Sequence, residues 1–423
     1  MTAPSETVSA IPTQAGSPVT SLQGRDPRVD FFRGLAFIII LIAHIPSNWV
    51  AQWIPARFGW SDATEMFVFM SGYAAGIAFG GTFLRQGFAL GTARVGQRVW
   101  QVYLGHLLLF FFVAMSMAAA NQLFETRDYI AQLNLWYFFN ETAAALVGFF
   151  TLTYVPNYFD ILPMYIVILL MMPAVFALAR LHPLAPVAAC VALYLANWFI
   201  GFDLPAEVRP DSDRTWFFNP FGWQLIFFTG LSLSMGWLKP PPVSRLLIVL
   251  AVAVLVAGLL LGHWPLWRSS EVLTALREAI SPWLNKTEFG ILRYVHFLAA
   301  AYIVVVLLKG REQWLASPLG RPVMQCGKQS LPVFLFAMAI SRYAGIVLDH
   351  TDREPWQAIL VNAGAIAVLI GIAYLIGFLK REPWRQKRRP AADPAGDPAA
   401  DSPGRATGHA ARPSSDGRAQ PAE

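Results

Sequence analysis

The chain has 423 residues, of which 56% are hydrophobic and only 14% charged. Soluble domains carry about 25% charged residues, so this balance excludes an ordinary soluble domain and points to an integral membrane protein. The formal net charge of +6 does not point to nucleic acid, because the basic residues flank apolar segments, as the positive-inside rule places them.

Residues 1–24 are rich in Ser, Thr, Pro and Gly and lack a basic n-region followed by an apolar run. They are expected to form a disordered cytoplasmic segment with no cleavable signal, so the first spanning helix directs insertion. Segments of about 20 mostly apolar residues then predict an all-α polytopic bundle of ten transmembrane helices. These fall at approximately 29–48, 63–82, 97–120, 161–180, 184–201, 220–238, 243–262, 289–308, 330–348 and 356–379. The stretch 141–154 is apolar but short, and reads as interfacial or re-entrant. The transmembrane domain is bounded at 25–380, and 381–423 reads as a basic, then disordered, cytoplasmic tail.

Orientation follows from the bases in the short loops. Arg25 and Arg28, Arg85 and Arg94, Arg180, Lys239 and Arg245, Lys309 to Lys328, and Lys380 to Arg389 all fall on one side if both termini are cytoplasmic. The opposite loops hold Glu125, Asp128, Asp203, Glu207, Asp211, Asp213, Glu271 and Glu278. No internal repeat is visible, which weakens a transporter built from duplicated halves.

The first span, D-F-F-R-G-L-A-F-I-I-I-L-I-A-H from Asp30 to His44, carries charge where a lipid-facing helix has none. At 100° per residue, Arg33 and His44 lie within about 20° of one face and about 16 Å apart along the axis. Asp30 shares that side, so the helix bears a polar stripe. Pro46, Ser47 and Asn48 are expected to end it. Ionisable groups inside a span cost several kcal/mol unless paired or solvated, which makes each a functional candidate. His44 reads either as a general base for a hydroxyl nucleophile or as a link between helices. Arg33 reads as a clamp for phosphate or carboxylate, or as a structural partner of Asp30.

The second span, D-A-T-E-M-F-V-F-M-S-G-Y, offers Glu65 near the outer surface, Ser71, and Gly72 and Gly76 for close packing. At the start of the third, Arg94 and Arg98 are four apart on one face. They suit the phosphates of a nucleotide-bearing donor such as coenzyme A, or else snorkel to the headgroups. His106 lies further along that helix. Asp160 opens the fourth span, Gln224 sits near the start of the sixth, and Arg293 and His296 are neighbours on the eighth. Trp216, Trp264, Trp267 and Trp283 read as an interfacial belt, although aromatic platforms also bind sugars. Cys190 and Cys326 do not suggest a disulfide or a metal site. G-x-S-x-G, Walker A, H-E-x-x-H and C-x-x-C are all absent, which removes support for hydrolase, ATPase and zinc-enzyme readings.

With those residues in place, the chain resembles a known group. Arg33 and His44 in an R-x10-H arrangement, with V-D-F-F-R-G-L-A and F-V-F-M-S-G-Y, are similar to the signature of the acyltransferase-three family of membrane acyltransferases. More narrowly it resembles the OpgC family, through 29–37, D-I-L-P-M-Y (160–165), F-N-P-F-G-W-Q-L-I-F (218–227), L-R-Y-V-H-F-L-A (292–299) and G-K-Q-S-L-P-V-F (327–334). The resemblance implies a multi-pass enzyme of the bacterial inner membrane. Such an enzyme transfers an acyl group, expected to be succinyl, from cytoplasmic acyl-CoA as co-substrate to hydroxyls of a periplasmic glucan. It makes His44 the essential histidine and Arg33 its paired arginine. Arg94 and Arg98 correspond to a donor-binding motif, although their R-x3-R spacing departs from the broader family's R-x2-R. The late G-K-Q-S-L-P-V-F-L-F-A-M lacks a histidine common in the broader family, which favours the OpgC branch.

These readings set Asp30, Arg33 and His44 as catalytic candidates and Arg94 and Arg98 as donor-binding candidates. Glu65, Asp160, Gln224, Arg293 and His296 are candidates for acceptor binding. No metal or bound cofactor is expected; the partners are acyl-CoA, a glycan and the bilayer. Two rivals stand beside this: an O-acetyltransferase of surface polysaccharide, and a carrier for a glycan or lipid-linked sugar.

Overall fold

A computed structural model of the chain describes residues 26–384, apart from 208, 210 and 211. The expected disordered stretches at 1–24 and 390–423, together with Arg25, Asp211 and the bases Arg385 to Arg389, lie outside the described residues. The chain divides into one unit, Met1–Lys380, and a second, Arg381–Glu423, and the helices all belong to the first.

A helix occupies each of the ten predicted segments. We label them α1 (Pro27–His44), α2 (Ala63–Arg85), α3 (Phe88–Leu123), α4 (Ile161–Leu178), α5 (Ala185–Ile200), α6 (Pro220–Ser234), α7 (Arg245–Gly262), α8 (Ile291–Leu308), α9 (Ser330–Asp349) and α10 (Pro355–Leu379). Seven of them, α2, α3, α4, α7, α8, α9 and α10, are long and apolar enough to cross a membrane. The other three fall short for visible reasons. α5 and α6 have 16 and 15 residues, less than a full span, and α1 carries Arg28, Asp30 and Arg33 within its 18 residues. By length and composition, seven of the ten expected spans thus meet the criterion for crossing a membrane, and the other three are helices of the same bundle. No β-strand occurs among the described residues; Pro205 and Thr215 form an isolated antiparallel bridge. The stretch 141–154 holds a nine-residue helix, Thr142–Phe150, too short to span.

Local chemistry explains the helix ends near α1. Asp26 caps its N-terminus by accepting the Arg28 N–H. At the other end the chain leaves the helix at Ile45, and Ser47 takes a positive φ of 50°. Asn48 then caps the 3₁₀ turn Trp49–Trp53 and exchanges two hydrogen bonds of 2.9 and 2.8 Å with Asn362 of α10. Arg353 donates to the carbonyls of Pro46 and Ser47 at 3.2 and 2.9 Å. The break predicted at Pro46–Asn48 is thus fixed from three directions.

α1 lies inside the bundle because its neighbours can approach its backbone. A side chain at Gly34 would strike the Val323 carbonyl of the short helix Gly320–Lys328, and one at Gly327 would strike the Asp30 carbonyl. The two helices therefore pack backbone to backbone at the Asp30–Arg33 turn, the small-residue contact typical of membrane bundles. Phe37, Ile40 and Leu41 on the following turns are buried. Gly72 of α2 meets the Phe227 carbonyl of α6 in the same way. By contrast α7, α8 and α10 bury only 11–22% of their apolar windows. They form the outer layer, with their remaining apolar surface directed away from the core.

Candidate functional site

Two cavities lie along α1. The first, of about 590 Å³, is lined at one end of α1 by Ile39, Ile40, Ala43 and His44. Arg57, Asp62 to Thr64, Asn157, Tyr158, Asp160, Ile161, Arg214 to Phe218, Lys286, Thr287, Phe334 and Met338 complete much of its wall. The second, of about 340 Å³, gathers Arg33 of α1, Ser71 to Phe79 of α2, Arg94, Gln97, Arg98 and Gln101 of α3, Tyr165 and Ser330. Three helices pass from one cavity to the other, and each places a phenylalanine at the crossing: Phe37, Phe67 and Phe334. Phe67 and Phe334 stack at 5.7 Å with planes 10° apart, and Phe37 tilts against both. All three are buried. The stripe expected on α1 is thus split, with His44 on one side of an aromatic wall and Arg33 on the other.

His44 is held by its own helix. Its Nδ1 lies 2.7 Å from the Ile40 carbonyl. A carbonyl only accepts, so Nδ1 carries the proton in the neutral ring and Nε2 is left as the basic nitrogen. The Tyr158 ring meets the imidazole edge-on at 5.4 Å. Arg342 of α9 donates to the His44 carbonyl and lies 4.5 Å over the Tyr158 ring. A buried guanidinium at the C-terminal end of α1 meets the negative pole of that helix and satisfies one of its orphan carbonyls. Arg342 was not among the sequence candidates. Its only signal there was a charge inside the apolar ninth segment.

The neighbouring wall is an ion network. Lys286 Nζ lies 2.6 Å from Asp62 Oδ2. Arg293 donates from Nε to Glu65 at 2.7 Å and also reaches Asp62 at 3.4 Å. Asp62 and Glu65 additionally form a capping box on α2, with the Asp62 side chain on Thr64 N–H and Glu65 accepting the Asp62 N–H at 2.8 Å. Burial alone would raise the Asp62 carboxyl, but Lys286 and Arg293 outweigh it and hold the group below the usual carboxylate range. Glu65 is 0% exposed. Exposure therefore does not explain this carboxylate near the end of α2: Arg293 makes its deep burial tolerable.

The remaining sequence candidates separate. Asp160 lines the His44 cavity; burial pushes its carboxyl up to about 6, against the pull of Arg214. Glu65, Gln224, Arg293 and His296 line neither cavity. Gln224 donates to the Cys190 carbonyl at 2.8 Å and ties α6 to α5. His296 bonds Ser61 at 2.7 Å just before α2. Asp30 is buried where α1 meets Gly327. His106 stacks on Phe149 at 4.8 Å in the core. Cys190 and Cys326 are free and buried. Trp216 is not part of an interfacial belt. It is buried with Val155 and Ala206, and its indole donates to the Leu152 and Pro205 carbonyls.

Around the second cavity, Arg33 donates to Ser330 of α9. Arg94 donates to Thr82 at 2.5 Å and lies 5.6 Å over the Phe79 ring, while Arg98 bonds Gln101 at 3.2 Å. Three guanidinium groups from two helices thus share one pocket whose lining includes no carboxylate. Such a pocket suits phosphate or another anion.

Comparison with known families gives one match: the family model described as OpgC protein covers residues 25–381. No curated protein and no solved structure matches the chain.

Proposed function

Because the chain belongs to the OpgC family, we propose that it is a membrane O-acyltransferase that moves an acyl group, succinyl being the expected one, from cytoplasmic acyl-CoA to hydroxyls of a periplasmic glucan. The observation that carries the proposal is the division of α1 between an arginine pocket without carboxylates and a cavity holding a basic imidazole. In this reading Arg33, Arg94 and Arg98 hold the donor's phosphates. The acyl thioester reaches past Phe37, Phe67 and Phe334, whose packing has to part. His44 Nε2 takes the proton of a sugar hydroxyl as that oxygen bonds to the thioester carbonyl carbon. The carbon–sulfur bond then breaks, and the departing thiolate receives the proton from the imidazolium. The products are an ester and free coenzyme A. General-base assistance of this kind contributes about 10²- to 10⁴-fold.

The protein belongs, in this proposal, to the bacterial inner membrane, with the Arg33 end of α1 cytoplasmic and the His44 end periplasmic. Asp62 and Arg293 act as supports for the cavity wall, and Asp160 lies where an acceptor hydroxyl would enter. The test is complementation of a strain lacking its own glucan acyltransferase, read by mass spectrometry of the extracted glucan. Wild type is expected to restore the succinyl mass and His44→Ala to leave the glucan unmodified. Wild-type levels of substitution with His44→Ala contradict the role of His44. An acetyl mass would identify the polysaccharide O-acetyltransferase alternative.

A further inference from the structure

The His44 cavity contains a base that the mechanism above does not use. Arg214 lies on an irregular segment that is fixed by its own backbone. Ala206 N–H donates to the Arg214 carbonyl at 2.9 Å, Trp216 N–H donates to the Leu204 carbonyl at 2.9 Å, and Pro205 and Thr215 form the bridge between them. The buried Trp216 indole anchors the next residue. One terminal nitrogen of Arg214, Nη2, donates to Asn157 Oδ1 at 2.7 Å. The other, Nη1, is buried without a hydrogen-bond partner, and no salt bridge joins Arg214 to an acid among the described residues.

The acids around it are otherwise engaged. Asp62 is shared by Lys286 and Arg293, and Glu65 is bound by Arg293. Those two acids and two bases balance each other. Asp160 accepts the Phe217 N–H at 3.4 Å, and its burial disfavours the anion. That leaves a guanidinium held by Asn157, lining the cavity that holds His44, with an unsatisfied donor. An unpaired buried N–H costs about 1–3 kcal/mol, which a ligand that pairs with it would offset. A carboxylate matches the planar fork of arginine better than any neutral group.

Resting on the acyl-transfer reading above, we infer that Arg214 is a receptor for a carboxylate at the far end of the transferred acyl group, so that this cavity selects dicarboxylic over simple acyl chains. The same chemistry could be supplied by an acidic acceptor sugar, and the experiment separates the two.

Purified full-length protein is assayed for coenzyme A release with succinyl-CoA and with acetyl-CoA, using a neutral linear glucan as acceptor. The ratio of kcat/KM for the two donors is expected to favour succinyl in the wild type. In Arg214→Gln it is expected to fall about tenfold or more, with partial recovery in Arg214→Lys. A ratio unchanged by Arg214→Gln, including equal loss with both donors, overturns the inference. Repeating the assay with an acidic oligosaccharide shows whether the arginine answers to acceptor charge instead; dependence on the acceptor alone also overturns it. A second measurement needs no turnover. Monomethyl succinate is expected to raise the melting temperature of the wild type more than methyl acetate does, and Arg214→Gln is expected to abolish the difference. Wild-type protein that releases coenzyme A with no donor fails the acyl-transfer reading. In that case the melting shift still decides whether Arg214 binds a carboxylate, and its absence overturns the receptor as well.

Discussion

The two cavities on α1 are built by opposite rules. Around Arg33 the lining carries three arginines and no carboxylate. Around His44 the charges come largely in matched pairs, Asp62 with Lys286 and Glu65 with Arg293. Arg57, Asp160, Arg214 and the imidazole also line the space. A pocket lined by guanidinium groups attracts anions and supplies no general base at neutral pH. A wall of compensated charge leaves the imidazole and Asp160 as the groups in the lining that can accept a proton. In the proposed function this difference assigns binding to the Arg33 end of the helix and reaction to the His44 end.

That division can be broken at either end, and the consequences differ in size and kind. Removal of the base by His44→Ala is expected to lower kcat at least about 100-fold, with donor KM little changed; steady-state coenzyme A release checks this. Breaking the compensated wall acts on folding instead. Arg293→Met leaves Glu65 and Asp62 short of a partner in a buried site and is expected to cost about 3–5 kcal/mol. A large fall in the melting temperature of the detergent-solubilised protein, or loss of expressed protein, is the readout. In the Arg33 cavity, Arg94→Gln with Arg98→Gln is expected to raise donor KM about tenfold while leaving kcat within about twofold. The smallest effect is expected at Gln224, whose bond joins α6 to α5 away from both cavities. Gln224→Leu is expected to cost about 1 kcal/mol of stability and to leave the kinetics alone.

The helices themselves were legible because membrane segments announce themselves by length and hydropathy, and all ten predicted segments are helical. Span number was not settled by the same signal. The polar start of α1 and the shortness of α5 and α6 put them outside simple apolar criteria. In the cavities, helical periodicity related Arg94 to Arg98 on one helix, and both line the second cavity, whereas the stripe it drew through Arg33 and His44 is split between the two. Partners brought from distant elements could not be related in this way. Arg342 touches His44 across 298 positions of sequence, and Glu65 escapes the surface only because Arg293 reaches it across 228. Arg214 lies on a loop whose order comes from a buried tryptophan, and the sequence offered that tryptophan as an interfacial one. Periodicity carries no information about such pairings.

The central claim is that this chain transfers an acyl group using His44. It is tested most directly by coenzyme A release from purified wild-type and His44→Ala protein supplied with succinyl-CoA and a linear glucan, with the glucan's mass followed in the same sample. The prediction is thiol release matched by an equal gain of succinyl ester in the wild type, and neither in His44→Ala. Wild-type protein that releases no coenzyme A with any acyl donor, yet moves glycan across liposomes, would contradict it and identify a carrier.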